Sequence, residues 1–312
     1  MRARAAGLLL GFAADRVLGD PQRFHPVAGF GTTAASLERI LYADSRGRGV
    51  AHTALLVGGT VALGVAVERR APRLLATVVA TWAVLGGRSL EREALAVHAH
   101  LEAGDLPAAR QRLTHLVGRD TDNLDESEVA RAVIESVAEN TSDAVVAPLV
   151  WGAVFGVPGL LGYRAVNTLD AMIGHHNARY ENYGWASARL DDLANLPGSR
   201  LSGVLVLITM PSRARAAAYA WRRDARAHPS PNGGVIEAAF AGALGIRLGG
   251  TNTYYGERVE HRAVMGDGRD ARTDDIAQSS VLARRIGLFA AISSALISIR
   301  GGWSARGRSP LG

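Results

Sequence analysis

Long uncharged apolar runs alternate with short charged segments along this chain. Two runs approach spanning length, Gly49–Val67 and Ala144–Tyr163, and shorter ones lie at Leu74–Gly87, Leu201–Ser212 and Ile286–Ile299. A membrane helix needs about 20 mostly apolar residues, within a range of about 17–25. The Gly and Ala content of the runs, with Arg at their edges, fits membrane helices that pack closely and snorkel. Pro148 and Pro158 predict that the Ala144–Tyr163 run is kinked or broken into a re-entrant hairpin. Met1–Ala14 carries basic residues before an apolar stretch, but no small-residue cleavage site follows and Asp15-Arg16 comes at once. It reads as a retained first helix. Strand-type alternation is almost absent. The expected fold is all-α, a polytopic membrane protein with kinked or re-entrant helices. One membrane-embedded domain is expected over 1–312, with its chemistry in polar segments at about 88–143 and 164–200.

Within the first polar segment the helix signals are explicit. Leu90–Ala103 reads as a helix ended by Gly104-Asp105, and Pro107 sits in the first turn of another that runs to about Val117. Asp125 is an N-cap with Glu128 three residues on, a capping-box variant. The helix it starts is expected to reach about Glu139 and to break at Asn140-Thr141-Ser142. Later, Pro229–Gly234 is a turn into a helix over Val235–Leu244. Gly249-Gly250 and Tyr254-Tyr255-Gly256 read as flexible turns, with a backbone-lined substrate edge as the alternative.

Composition narrows the chemistry. Cysteine is absent, which removes disulfides, thiolate metal sites and thioester intermediates. All 35 basic residues are Arg, so a Walker-type phosphate loop and Schiff-base catalysis are excluded as well. Phosphate must be held by Arg forks, backbone N–H groups or a metal ion. The net charge is +6, but the Arg residues are scattered between apolar runs, so no nucleic-acid partner is expected.

The helix after Asp125 carries two stripes. Val129, Val133 and Val137 form one at i, i+4 spacing and are expected to be buried. Arg131, Glu135 and Glu139 form the other. Alone it would be an ordinary solvated face with an Arg–Glu pair worth a few tenths of a kcal/mol. Here it is bracketed by Arg119-Asp120-Thr121-Asp122 and by Asn140-Thr141-Ser142-Asp143, and it leads into the most apolar run. Carboxylates with Arg at a membrane edge suit Mg²⁺ and a phosphate. A second cluster follows that run: Arg164, Asn167, Asp170, Asn177, Arg179, Tyr180, Arg189, Asp191, Asp192 and Asn195. If the run is a hairpin, both clusters meet at one membrane face. His175 and His176 are adjacent and lack metal-ligand spacing, and His25 before Pro26 orients a loop. Neither a nucleophile elbow nor a Rossmann glycine fingerprint occurs.

These segments in this order resemble the CobD/CbiB family of cobalamin-biosynthesis synthases. The resemblance rests on Asp15–Asp20 with Pro21 and His25-Pro26-Val27, on Gly118-Arg119-Asp120-Thr121, and above all on Glu135–Asp143 running into Ala147-Pro148-Leu149. Asn167-Thr168-Leu169-Asp170, Gly184–Asp192, Ser230–Gly234, Ala241–Gly245 and Leu248-Gly249-Gly250 follow, covering roughly residues 10–290. Two positions depart from the pattern: Arg164 where lysine is expected, and Asn232-Gly233-Gly234 where Asn-Ala-Gly is usual. The resemblance implies an integral protein of the cytoplasmic (inner) membrane, multi-pass. Its activity would be adenosylcobinamide-phosphate synthesis, joining adenosylcobyric acid to aminopropanol phosphate with ATP as co-substrate and Mg²⁺ as cofactor. Membrane lipid and other late corrinoid-pathway enzymes are the implied partners. The roles that follow are catalytic for Glu135, Glu139, Asn140 and Asp143. Arg119, Arg164, Asn167 and Arg189 would bind substrate or phosphate, and Asp120, Asp170, Asp191 and Asp192 would hold metal. Competing readings are a membrane prenyl- or alcohol-phosphate transferase and a non-enzymatic corrinoid transporter or scaffold.

Overall fold

A computed structural model describes residues 1–19, 25–175, 177–254 and 258–300. Asp20, Pro21, His176, Tyr255 and Gly256, singled out above, lie outside the described residues. In chain order the first helices are α1 (Arg2–Leu18), α2 (Pro26–Leu41), α3 (Arg46–Arg70), α4 (Arg73–Val84), α5 (Gly87–Glu102), α6 (Leu106–Leu113) and α7 (Glu126–Thr141). Then come α8 (Ala147–Phe155), α9 (Val157–Ile173), α10 (Trp185–Thr209), α11 (Ala214–Asp224), α12 (Gly233–Leu244) and α13 (Thr273–Arg300). Between the last two lies an antiparallel hairpin of β1 (Leu248–Tyr254) and β2 (Arg258–Met265).

The protein is a helical membrane protein. Two helices, α3 and α13, are long and apolar enough to cross a bilayer. A third span exists if α10 and the Pro211–Ala227 stretch, bent by 102°, act as one broken segment. By contrast α4, with 12 residues, reaches only about 18 Å, short of a hydrocarbon core about 30 Å thick.

Contacts gather into two compact units. The first contains residues 1–86, 143–198 and 290 onward. Its tightest packing is made by small residues. Gly7 and Gly11 lie one turn apart on α1, and a Cβ on Gly11 would come within 2.4 Å of the Thr81 Cβ on α4. This is the small-xxx-small device by which helices approach without a water-driven force. Gly64 of α3 does the same against Pro158 at the start of α9, where an added Cβ would lie 2.7 Å from the proline Cα. The run at Ala144–Tyr163 is broken, as Pro148 and Pro158 predict: Gly156, at φ +73°, separates α8 from α9. A side chain there would strain the backbone and strike the Arg4–Glu68 ion pair, so only glycine suits the break.

The second unit contains residues 87–142 and 199–289. Asp105 caps α6 by accepting from the Ala108 N–H at 3.0 Å, but the helix stops at Leu113, four residues before the expected end. The chain turns there, with the N–H groups of Leu116 and Val117 both donating back to the Leu113 carbonyl. The Asp125–Glu128 capping box is complete, with both reciprocal bonds at 2.9 Å. Two expectations fail. The chain does not break at Asn140-Thr141-Ser142: α7 widens into a π-helical turn at Ser142–Val146 and continues as α8. A wider turn tolerates the N–H that Pro148 lacks. Gly249-Gly250 is also not a turn but the start of β1, where the register shifts between Leu248 and Gly250. Gly249 has φ +84°, and an added Cβ would lie 2.1 Å from the Ala263 carbonyl oxygen. The glycine pair that looked like flexibility is a bulge in a ladder.

Candidate functional site

In the second unit the polar chemistry is built on α7. Its apolar stripe is buried as the spacing predicts, and so are Ala130, Ala132, Ile134 and Ala138. Of the Arg131–Glu135–Glu139 face, Arg131 and Glu135 are largely buried while Glu139 is exposed. Glu135 is 6 % exposed and its carboxylate is fully partnered. Arg119 donates to Oε2 at 2.8 Å, the Gly249 N–H donates to Oε1 at 2.8 Å, and the Arg131 guanidinium lies 3.5 Å from the same Oε1. Arg131 also donates to the Gly249 carbonyl and, at 3.3 Å, to that of Thr251. A buried carboxylate is tolerable only when paired and hydrogen-bonded in this way. Glu135 thus ties the Gly118–Thr121 segment, α7 and the bulged strand together.

Glu139, one turn further, is exposed, with charged groups on neighbouring elements close enough to act on it. Burial pushes its carboxyl above the usual range; Arg262 pulls it down, Glu135 pushes it up and Arg119 lowers it. A carboxylate tuned upward is a better proton acceptor near neutral pH. Asn140 turns back on its own helix, its amide donating to the Ser136 carbonyl at 2.9 Å and to the Ser136 hydroxyl at 3.2 Å. Asp120 is half-buried beside Arg119. Two further groups were not singled out in the sequence. Glu237 on α12 is 1 % exposed, and His228 Nε2 lies 3.4 Å from its Oε1. Burial, then Glu135 and Glu139, drive the Glu237 carboxyl well above its ordinary value.

The first unit holds a different arrangement. Asp191, 9 % exposed, accepts from the Asn195 amide at 2.8 Å and from the Asn167 amide at 3.5 Å. The Tyr163 hydroxyl donates to Asn195 Oδ1 at 2.6 Å and lies 3.1 Å from the Asp143 carbonyl. The two ends of the broken run thus meet at Tyr163. Arg164 donates to Asn167 Oδ1 at 3.2 Å and lines a mostly apolar cavity of about 270 Å³ with Val27, Phe30, Leu63 and Leu161. Neighbours on a helix point about 100° apart, so Asp191 and Asp192 diverge. Asp191 turns inward, while Asp192 is half-exposed and pairs at 3.3 Å with an Arg189 side chain that is 65 % exposed. Asp170 sits on the last turn of α9 with its carboxylate against Gly174, where an added Cβ would lie 2.0 Å from Oδ1.

Of the residues read from sequence, Arg119, Glu135 and Glu139 come together in one unit. Arg164, Asn167, Asp191 and, through its carbonyl, Asp143 come together in the other. Arg189 and Asp192 form a solvated surface pair. The residues missed had a signal: Glu237 is the lone charge in the otherwise apolar helix Gly233–Leu244, where an acid needs a reason. Tyr163 had none, because a tyrosine inside an apolar run reads as filling.

Comparison with known proteins identifies the family. The family model described as CobD/Cbib protein matches residues 8–283. The cobalamin biosynthesis protein CobD of Mycobacterium tuberculosis is 50 % identical over 305 residues, covering 96 % of this chain and 97 % of that protein. The proteins of the same name from Geobacter metallireducens and Rhodobacter capsulatus are 45 % and 43 % identical, over 86 % and 90 % of this chain and 88 % and 93 % of theirs. No solved structure matches. The chain therefore belongs to the CobD/CbiB family of cobalamin-biosynthesis proteins.

Proposed function

We propose that this chain is an adenosylcobinamide-phosphate synthase, an ATP- and Mg²⁺-dependent ligase that is a multi-pass protein of the cytoplasmic membrane. It would join a propionate carboxylate of adenosylcobyric acid to the amine of aminopropanol phosphate. The observation that carries this reading is the α7 cluster. A carboxylate with raised proton affinity, Glu139, stands beside guanidinium groups and a fixed backbone edge at Gly249.

The chemistry follows from the groups present. A carboxylate is a poor acyl donor and needs activation, most simply by taking the γ-phosphoryl group of ATP to give an acyl phosphate and ADP. With no Cys and no Lys the protein has no thioester or amine carrier, so transfer is direct. The substrate ammonium first gives one proton to Glu139. The free amine then attacks the acyl carbon: the C–N bond forms, the C–O bond to phosphate breaks, and the second N–H proton leaves with the phosphate. Arg119 and Arg131 place positive charge at the Glu135 end of the helix face, where developing phosphate charge is stabilised. Glu135 acts by positioning, since its lone pairs are already taken.

Mg²⁺ fits the Asp191 network. The donor set there is hard oxygen, and the carboxylate is aimed by two amides and, through Asn195, a phenol. Asp191 would hold the ion, with Asn167 and Asn195 orienting it, and the ion would supply charge neutralisation for phosphates. Arg164, beside this network, would contact a phosphoryl oxygen.

The test is an assay of detergent-purified protein with adenosylcobyric acid, aminopropanol phosphate, ATP and Mg²⁺, read by mass spectrometry with each component omitted in turn. Amide product that needs both ATP and Mg²⁺ is the expected result. No product from folded protein overturns the reading; product formed only with a prenyl diphosphate, or vesicle uptake without chemistry, would replace it.

A further inference from the structure

A helix start ordinarily spends the side chain of its N-cap on the backbone N–H groups of its own first turn. At α12 the N-cap is Asn232, and its side chain makes no such bond. Ser230 supplies the hold instead: its hydroxyl accepts from the N–H groups of Asn232 at 3.2 Å and of Gly233 at 3.1 Å. His228 fixes that serine in turn, its Nδ1 accepting from the Ser230 N–H at 3.0 Å. The Asn232 side chain is thereby released to face α10.

There it meets Arg200. The arginine donates through Nη1 to Asn232 Oδ1 at 2.6 Å and to the Ser199 hydroxyl at 2.8 Å, and that hydroxyl donates to the same Oδ1 at 2.9 Å. A guanidinium only donates, so the Asn232 atom facing it is the carbonyl oxygen. Ser199 and Asn232 are 0 % and 5 % exposed, whereas Arg200 is exposed. One amino group is thus pinned by two buried neutral acceptors, and among the described residues no carboxylate pairs with the guanidinium. With Nη1 held, the Nε–Nη2 edge is the open one. Its two N–H bonds run parallel, the fork that takes two oxygens of one oxyanion at once.

The surroundings call for an anion. Together with the bent stretch Pro211–Ala227, α10 is apolar enough for a broken membrane span. A guanidinium on such a segment is costly unless an anion neutralises it. A phosphate monoester carries about −1.5 to −2 charge near neutral pH and three acceptor oxygens, so it gains more from the fork than a carboxylate does. We propose that Arg200, aimed by Ser199 and Asn232, is a phosphate-binding residue whose Nε–Nη2 edge takes a phosphate monoester. Two sources share that chemistry: free aminopropanol phosphate and the headgroup of phosphatidic acid. Naming aminopropanol phosphate as the soluble source rests on the reaction proposed above; the site itself does not.

The experiment titrates full-length protein in detergent with inorganic phosphate and with aminopropanol phosphate by calorimetry, without ATP or Mg²⁺. Arg200→Gln should weaken binding at one site by about 10-fold or more. Asn232→Asp is the second variant: it keeps the shape but sets a carboxylate against Nη1, which neutralises the guanidinium from within the fold. It should lose phosphate binding to a similar extent while melting close to wild type. A bond that merely clamps α10 to the turn would leave phosphate affinity untouched in Asn232→Asp, and that result overturns the proposal. In nanodiscs, phosphatidic acid that raises the melting temperature of the wild type but not of Asn232→Asp, with no response to the soluble esters, assigns the site to lipid. A wild type that responds to none of these probes overturns it too. Since no arm needs turnover, absence of amide product in the synthase assay counts against the reaction alone.

Discussion

The carboxylates of the two polar clusters are held by different recorded partners. Glu135 is surrounded by cations, with Arg119 at 2.8 Å and Arg131 at 3.5 Å, and its charge is neutralised within the fold. Asp191 accepts from the amides of Asn195 and Asn167, with Tyr163 behind them. A carboxylate paired with guanidinium has nothing left for a metal ion. One that accepts from amides is held in a fixed direction, as a metal ligand requires. Sequence spacing made the two look alike, as acids near Arg and Asn; the guanidinium and backbone N–H bonds to Glu135 and the amide bonds to Asp191 tell them apart.

The largest effect expected from this difference is on stability. Glu135→Ala removes the partner of a buried guanidinium and of the Gly249 N–H together. Breaking a buried pair by deleting one member costs about 3–5 kcal/mol. Thermal unfolding in detergent should therefore show a large loss in this variant, with the hairpin the first element to exchange its amide hydrogens. Asp191→Asn should behave in the reverse way, losing Mg²⁺-dependent turnover while melting within about 1 kcal/mol of wild type, since an amide fills the same space. If Asp191→Asn melts as early as Glu135→Ala, the distinction between the clusters is wrong.

A smaller effect should come from Tyr163→Phe. The phenol orients Asn195, which orients Asp191, so its loss should weaken Mg²⁺ affinity by about 10-fold. Titrating turnover against Mg²⁺ separates a raised metal requirement from a loss of maximal rate; only the first supports an orienting role.

Much of this architecture is legible in the residues themselves. The Asp125–Glu128 box, the break of the Ala144–Tyr163 run before Pro158 and the buried Val129–Val133–Val137 stripe follow from local chemistry that needs no partner. The features that escaped depend on partners distant in sequence. Gly249 becomes a bulge because Ala263 lies opposite, and Glu135 becomes an anchor because a strand more than a hundred residues later presents an N–H. Asn140-Thr141-Ser142 has the composition of a break, yet the helix continues, since the Thr141 hydroxyl bonds the Val137 carbonyl at 2.6 Å within the helix. The adjacent acids Asp191 and Asp192 look like one site in sequence; helix geometry sends them apart.

That divergence gives the smallest predicted effect and the sharpest control. Arg189 and Asp192 face outward, three residues apart on α10, with side chains 65 % and 30 % exposed. Exposed ion pairs contribute about 0–1 kcal/mol, so Asp192→Ala should melt close to wild type and keep its Mg²⁺ requirement. Asp191→Asn beside it should lose Mg²⁺-dependent turnover entirely. Raising the salt concentration should erase what little stability difference Asp192→Ala shows, because screening acts on surface charges first. A strong Mg²⁺ phenotype in Asp192→Ala would mean that both acids ligate, which a regular helix at these positions does not permit. It would require α10 to unwind around the ion, and hydrogen exchange at Asp191–Asn195 with and without Mg²⁺ would reveal it.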